Sequence, residues 1–152
     1  MADAGVPSLT IPAGWELLKD ESGQSALIAR EPGDTTRPEG FRANIVVTAT
    51  ALGGLGFRDW QSGTDELLPR VLDDYLLVDL EKLTIAGGPA GRRLAHHASP
   101  AGEALTMEQW FTAAADVGYT LTATVETWRY DELADLCAQV ASSWRPTGET
   151  RA

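Results

Sequence analysis

The sequence predicts an α+β protein in which an antiparallel β-sheet of about six to seven strands is flanked by helices. Residues 119–125 alternate Tyr, Leu, Ala and Val with three threonines, the two-residue period of a strand with one buried face. The apolar period then lengthens to three or four residues, as in a helix, and this stripe contains Tyr130, Leu133, Cys137, Val140 and Trp144. Short turns separate the later strands, and such turns join only antiparallel neighbours.

The predicted elements follow one another in the order βββαββββα. Leu9 to Leu18 form a first strand that is broken at residues 12–14, and a turn at residues 22–24 leads to a second strand at residues 25–30. A loop rich in proline, glycine and charge comes next. The alternation of residues 43–50 then predicts a third strand, whose partly apolar second face indicates cover on both sides of the sheet.

The second half of the chain begins with a glycine-rich segment, residues 53–56. A helix starting at Asp59 follows, and its predicted buried stripe comprises Trp60, Leu67, Leu68, Val71 and Leu72. Strands are predicted at residues 75–85, 90–98, 104–115 and 119–125, with turns at residues 87–89, 100–102 and 116–118. Thr127 is the predicted N-cap of the last helix, and Pro146 its stop signal.

Composition restricts the function classes. The 152 residues, 43% of them hydrophobic, suit one domain, which we place at residues 9–146 between flexible ends at residues 1–8 and 147–152. The net charge of −10 argues against nucleic acid and anionic lipid surfaces as partners, and suits a basic or amphipathic partner. The single Cys137 lies on the apolar helical stripe and is read as a core residue. Because no signal-peptide pattern or membrane-length apolar run occurs, we expect a cytoplasmic protein without membrane insertion.

Two strand patterns carry a family resemblance. With this order of elements, residues 41–48 (FRANIVVT) and 118–125 (GYTLTATV) resemble the PsbP-like (Mog-type) superfamily, most closely its actinobacterial LpqN-type branch, and more distantly the Eag-type effector chaperones. The resemblance covers roughly residues 9–146 and implies an α/β/α sandwich around an antiparallel sheet. It also implies a binding protein instead of an enzyme. This chain lacks the lipobox cysteine of the lipoprotein members, since its one cysteine is Cys137, which favours a chaperone or adaptor role.

His96 and His97 are the most conspicuous candidates for chemistry. Adjacent residues of a strand point to opposite faces, so the two imidazoles cannot easily bind one metal ion. With Arg92 and Arg93 on the same strand, they predict one solvent-facing basic stripe and one covered face. Either Glu103 or Glu108 could place a carboxylate beside a histidine from the neighbouring strand. We expect no metal site.

Other motifs are incomplete. Residues 53–56 (GGLG) lie between a strand and a helix like a dinucleotide-binding loop, but Asp59 occupies the third glycine position and hairpins follow where helical crossovers are required. Asp73, Asp74, Asp79 and Glu81 lack the spacing of a calcium loop and are read as a solvated acidic face. No nucleophile pairs with a general base in a known spacing. The sequence therefore predicts neither an enzyme nor a cofactor.

Trp110 is predicted to lie on the opposite face of its strand from the neighbouring apolar residues. Leu105, Met107 and Phe111 share one phase of the strand, and Trp110 takes the other beside polar residues. If the Leu105 phase is buried, Trp110 stands on the opposite face, where an aromatic side chain often anchors a partner. The alternative is that a helix covers this face too.

The leading hypothesis is a non-catalytic adaptor or chaperone that holds an apolar or basic protein segment on a sheet face or in a groove. The predicted partner contacts are Met107, Trp110, Phe111, His97, Asp73 and Asp74. A homodimer is possible because exposed sheet edges invite pairing. The alternative is a carrier of a small apolar ligand in a cavity between sheet and helix, and an enzyme that uses His96 or His97 ranks third.

Overall fold

The computed structural model describes residues 8–18 and 25–147. Within them the chain forms seven strands and two α-helices in the predicted order βββαββββα. The strands are β1 (Glu16–Leu18), β2 (Ser25–Arg30), β3 (Asn44–Ala51), β4 (Asp73–Ile85), β5 (Gly88–Ala98), β6 (Ala104–Ala114) and β7 (Val117–Glu126). The helices are α1 (Phe57–Val71) and α2 (Tyr130–Ser143), the latter preceded by a 3₁₀ turn, Thr127–Arg129. The turn predicted at residues 22–24 lies outside the described part of the chain.

All seven strands belong to one antiparallel sheet in the order β1-β2-β3-β7-β6-β5-β4. After β3 the chain leaves the middle of the sheet, and α1 carries it to the far edge, where β4 begins. Short turns then bring β5, β6 and β7 back until β7 pairs with β3. The predicted α+β fold with an antiparallel sheet is confirmed, and β1 and β4 form its two edges.

The principal core lies between the sheet and α2. Ile45 and Leu121 are fully buried on this side, where they pack with the helix residues Leu133, Cys137, Val140 and Trp144. Burying one such aliphatic side chain stabilises the fold by about 1.5–3 kcal/mol. We call this side of the sheet the α2 face. Burial raises the pKa of the Cys137 thiol to about 11, which makes it an unreactive core group as predicted.

Helix α1 packs on the opposite side, which we call the α1 face. Its Trp60 lies directly on the backbone of β7, since a Cβ at Gly118 would come within 2.6 Å of the indole ring. Phe57 stacks on Phe111 of β6, with ring centroids 6.0 Å apart and planes inclined by 24°. The missing side chain at position 118 therefore lets the first turns of α1 approach the sheet closely. Both faces carry a helix, as the second apolar phase of β3 indicated.

Several element boundaries differ from the predictions. The N-terminal strand starts at Glu16 instead of Leu9. Helix α1 starts at Phe57 instead of Asp59, and α2 starts at Tyr130 because residues 127–129 form the 3₁₀ turn. Thr127 is not a side-chain cap, and its hydroxyl instead accepts a hydrogen bond from Thr106 at 3.0 Å.

The predicted apolar stripe of α1 is also partly wrong. Leu67 and Val71 are 52% and 59% exposed, whereas Gln61 is buried. The helix therefore turns a polar side chain toward the sheet and two large apolar side chains toward solvent.

Candidate functional site

The strand β4 forms one edge of the sheet, and no other strand among the described residues pairs with its outer side. It is 13 residues long and carries four exposed large apolar residues, Leu76, Leu77, Val78 and Leu80. Monomeric proteins ordinarily protect such edges with short strands, charges or bulges, because free backbone N–H and C=O groups accept another strand. The opposite edge strand, β1, has three residues within the described part of the chain. We call residues 76–80 the β4 edge.

Two bulges shape this edge. The register of β4 against β5 shifts between Asp73 and Leu76 and again between Leu77 and Asp79, each time with one extra residue in β4. Leu76 consequently pairs with His96 and points to the α2 face, whereas Leu77 pairs with Ala95 and points to the α1 face. The apolar groups of the edge thus lie on both sides of the strand.

Acidic residues flank the apolar segment. Asp73 and Asp74 precede the segment, Asp79 lies within it and Glu81 follows it. All four side chains are exposed. Asp74 adopts a positive φ of 53° at the first bulge, a conformation that aspartate tolerates better than most residues. Lys82 is the single basic residue of β4. The β4 edge therefore combines apolar side chains with a negative border.

A cavity of about 480 Å³ lies between α1 and the β4–β5 pair. Its apolar walls are Phe57, Leu80, Leu83, Pro89 and Phe111. Arg58, Gln61, Lys82 and Arg93 are among its polar walls. The volume falls within the range of pockets that hold small organic ligands.

Arg93 joins α1 to the sheet beside this cavity. Its side chain is 1% exposed, and its guanidinium donates hydrogen bonds to Asp65 at 2.7 Å, Gln61 at 2.9 Å and Gln109 at 2.8 Å. The guanidinium carbon also lies 4.8 Å from the centroid of the Phe111 ring, within cation–π distance. The buried charge is thus held by one carboxylate, two amides and an aromatic face. Desolvation by burial raises the pKa of the half-buried Tyr75 hydroxyl on the adjoining part of β4.

The fold described above also occurs in solved structures. PA94 of Pseudomonas aeruginosa, a protein of unknown function, matches with a TM-score of 0.70 and 17% identity over 88% of this chain and 98% of that one. LpqN of Mycobacterium tuberculosis, which is involved in cell envelope biogenesis, matches with a TM-score of 0.71 and 18% identity over 93% and 84% of the two chains. The cyanobacterial PsbP (CyanoP) of Synechocystis sp. PCC 6803 matches with a TM-score of 0.61 and 15% identity over 93% and 86%.

The chain has a PsbP-like fold. At these identities the likeness is one of fold alone. No protein-family model matches the sequence, and no curated protein matches it significantly.

In this PsbP-like sheet, three of the predicted partner contacts are covered. Met107, Trp110 and Phe111 are only 4%, 8% and 3% exposed. Trp110 lies on the face opposite Phe111, as predicted, but belongs to the core beneath α2, so the alternative that a helix covers this face too is the one observed. Phe111 lines the cavity between α1 and the β4–β5 pair, and Trp110 lines a groove beside α2. A partner would meet only the edges of these side chains, and their contact role stays a prediction.

The two histidines lie on opposite faces of β5, as their adjacency predicts. On the α2 face, Nδ1 of His96 lies 2.9 Å from the hydroxyl of Thr106. On the α1 face, His97 pairs in register with Leu105, and its buried Nδ1 has no hydrogen-bond partner among the described residues. The described part of the chain contains no cluster of three or more potential metal ligands. The predicted contact role of His97 is untested.

The expected solvent-facing basic stripe is wrong. Arg93 is buried as described, and Arg92 on the α2 face donates to Glu108 at 2.5 Å, with Asp79 and Glu81 at 3.2 and 3.3 Å. Glu108 is therefore engaged by arginine instead of a histidine, and it also accepts a hydrogen bond from the Tyr130 hydroxyl at 3.3 Å. Burial lowers the pKa of Arg92, but the hydrogen bond and the negative charge of Glu108 raise it by more. The pKa of Arg92 therefore lies above its ordinary value.

The β4 edge and the charged cavity residues Arg58 and Lys82 did not emerge from the sequence. An uninterrupted apolar run such as residues 76–78 is typical of a strand covered on both faces, the opposite of what the structure shows. Neither described helix has the length and apolar character needed to cross a membrane.

Proposed function

We propose that this PsbP-like protein is a non-catalytic binding module, a cytoplasmic adaptor or chaperone that holds an apolar segment of another protein. The observation that carries the proposal is the β4 edge, which has four exposed apolar side chains, belongs to a strand of 13 residues and pairs with no further strand on its outer side among the described residues. Such an edge can accept an extended segment as an additional strand, with main-chain hydrogen bonds supplying affinity and alternate side chains supplying selectivity.

The side chains of the β4 edge indicate which kind of partner it would bind. Leu76 on one face and Leu77 with Leu80 on the other offer apolar contacts to both sides of an added strand. Asp73 and Asp74 are in no ion pair among the described residues, and Asp79 and Glu81 share one cation, Arg92. The border therefore stays net negative and favours lysine or arginine beside the apolar segment. Leu67 and Val71 of α1 add exposed apolar surface at the end of the helix that leads into β4. The partner is therefore an extended apolar segment with a basic flank.

The likeness to LpqN supports a position near the LpqN-type branch, and we infer a distant relation to the Eag-type chaperones from the strand patterns. A homodimer through β4 is the competing use of the same edge. A second candidate function, a carrier of a small apolar ligand, is favoured by the cavity between α1 and the β4–β5 pair.

Site-specific photo-crosslinking in the native host tests the adaptor proposal. A photoreactive phenylalanine analogue replaces Val78, which is 49% exposed on the β4 edge. The matched control places the same group at Leu17, which is 62% exposed on the opposite edge strand β1. Mass spectrometry of the products then identifies the linked peptide. We expect a protein segment with apolar and basic residues to link through position 78 and not through position 17.

Charge reversal at the β4 edge is a second test of the adaptor proposal. Asp74→Lys with Asp79→Lys should reduce the yield of that product severalfold, because both acids border the edge. A purified synthetic peptide of alternating leucine and valine should bind the wild-type protein more tightly with lysine flanks than with glutamate flanks. Equal crosslinking at positions 78 and 17, no crosslinked protein at all, or a product formed only with a second copy of this chain would each refute the adaptor proposal.

A further inference from the structure

We propose that the cavity between α1 and the β4–β5 pair, the α1 cavity, binds a small apolar monoanion, specifically an organic carboxylate with an aromatic or aliphatic body. This inference rests on the carrier function and not on the β4 edge as a protein-binding strand. Three observations carry it: the composition of the cavity walls, two cavity cations without ion-pair partners among the described residues, and the net charge of the chain.

The walls fit an apolar body. Phe57 and Phe111 form a stacked aromatic wall on one side, and Leu80 contributes the aliphatic surface of β4. A Cβ at Gly91 would come within 2.5 Å of the Phe111 ring, so the absence of a side chain there allows the ring to pack directly against β5. The aromatic wall is therefore fixed by packing before any ligand arrives, which lowers the entropic cost of binding.

The cations fit one negative group. Arg58 and Lys82 line the cavity and are exposed, so they stand where it opens to solvent. Neither is in an ion pair within the described residues. Asp65 is engaged by Arg93, and the Glu81 side chain points to the α2 face, where it binds Arg92. Within the described part of the chain, two cavity cations thus have no carboxylate partner and can meet a ligand anion.

The net charge of the chain restricts the ligand further. A protein of net charge −10 repels anions at long range, and the repulsion grows with the charge of the ligand. Two local cations can overcome this repulsion for a single negative charge more readily than for a phosphate dianion. The apolar walls would also bury the body of the ligand while its carboxylate stays at the mouth, where water still reaches it. The cavity accordingly selects an apolar carboxylate over a phosphorylated metabolite.

A pair of dyes tests charge and apolar contact separately. Anilinonaphthalene sulfonate and N-phenylnaphthylamine share one aromatic body, but only the first carries a negative charge; both fluoresce more strongly in apolar sites. We expect the sulfonate to bind with one-to-one stoichiometry and more tightly than the neutral dye. Naphthoate should displace it at lower concentration than the neutral naphthylmethanol, and phosphate should not displace it.

Variants then locate the site. Replacing both Arg58 and Lys82 with glutamine should weaken binding of the sulfonate about tenfold and leave the neutral dye unchanged, because only the anion contacts are lost. Arg70→Gln, an exposed cation in the last turn of the same helix and outside the cavity, is the matched control and should change neither affinity. Ser62→Trp should fill the cavity from α1 and abolish binding of both dyes.

The outcomes separate this inference from the adaptor proposal. Equal affinity for the two dyes, an unchanged sulfonate affinity in the Arg58 and Lys82 double variant, or no dye binding to the wild-type protein would each overturn the monoanion site. The double variant does not depend on the bulky Ser62→Trp change, so the test holds even if that variant fails to fold. Crosslinking through position 78 should persist in the double variant. If position 78 in the otherwise wild-type protein gives no crosslink while dye binding by the wild-type protein is as expected, the adaptor proposal fails alone.

Discussion

Replacing Asp65 with asparagine should destabilise the protein far more than an ordinary surface substitution. Asp65 is the only acidic side chain in an ion pair with Arg93 among the described residues, and the two atoms of the pair lie 2.7 Å apart. The arginine side chain is 1% exposed, whereas the aspartate is 42% exposed. The substitution keeps an oxygen acceptor in place but removes the one negative charge that balances a buried cation.

The magnitude follows from this asymmetry. Removing one partner of a fully buried ion pair costs about 3–5 kcal/mol, because an uncompensated charge stays buried. The retained amide oxygen and the partial exposure of position 65 lower that figure, so we expect a loss of about 2–3 kcal/mol in the free energy of unfolding. In an Arg93→Met background the cation is absent, and Asp65→Asn should then cost less than about 0.5 kcal/mol. The coupling energy of the double-mutant cycle is the difference, about 2 kcal/mol.

Urea unfolding followed by tryptophan fluorescence measures all four members of the cycle, provided that the dependence on urea stays equal among them. Glu66→Gln, the exposed neighbouring acid on α1, is the control and should change stability by less than about 0.5 kcal/mol. If Asp65→Asn costs no more than this control, or if its cost is the same with and without Arg93, then Asp65 does not balance a buried charge and the reasoning is refuted.

Two further predictions concern the α2 face and the sheet end. Trp110→Ala should cost about 3–5 kcal/mol in urea unfolding, because the side chain is 8% exposed in the core; a loss below about 1 kcal/mol would instead place it on an open surface. Burial raises the pKa of Glu126, but hydrogen bonds from Arg37 and Trp128 lower it by more, so its pKa lies below the ordinary value. Its stabilising effect is therefore complete above the ordinary glutamate pKa, about 4.3, and is lost as the pH falls through the lower folded pKa. The difference in unfolding free energy between wild type and Glu126→Gln should shrink over that acidic range, and a difference independent of pH would contradict the assignment.

The order of elements was predictable because it depends on local periods. The alternation in β3 and β7, the three-to-four-residue period of α2, and the short turns between the later strands each appear within a dozen residues of sequence. Cys137 could be assigned to the core for the same reason, since it falls on the apolar stripe of a strongly periodic helix. Local period does not, however, say which strand ends at an edge, and the position of β4 there follows from the path of α1 across the sheet.

The interior role of Arg93 was not predictable from its neighbours. Arg92 and Arg93 are adjacent and chemically identical, and the period of a strand says only that they face opposite sides. The side chain of Arg93 is 1% exposed and that of Arg92 is 19% exposed. The difference arises because Gln61 and Asp65 of α1 contact Arg93, whereas acids of β4 and β6 contact Arg92. The buried position of Arg93 could have been indicated by Gln61. This polar residue lies on the buried side of α1, whereas the apolar Leu67 and Val71 lie on its exposed side.

The two edges of the sheet differ in a way that bears on function. Within the described residues β1 spans three residues and exposes little backbone, whereas the 13-residue β4 is protected by two bulges and by charged side chains. Four acids and one base on β4 make two copies of this strand repel each other, which opposes self-pairing although the apolar groups favour it. A basic segment meets the same apolar groups without that repulsion. The negative charge that opposes pairing of β4 with a second copy therefore also selects a basic partner. For this reason we place the adaptor ahead of the homodimer.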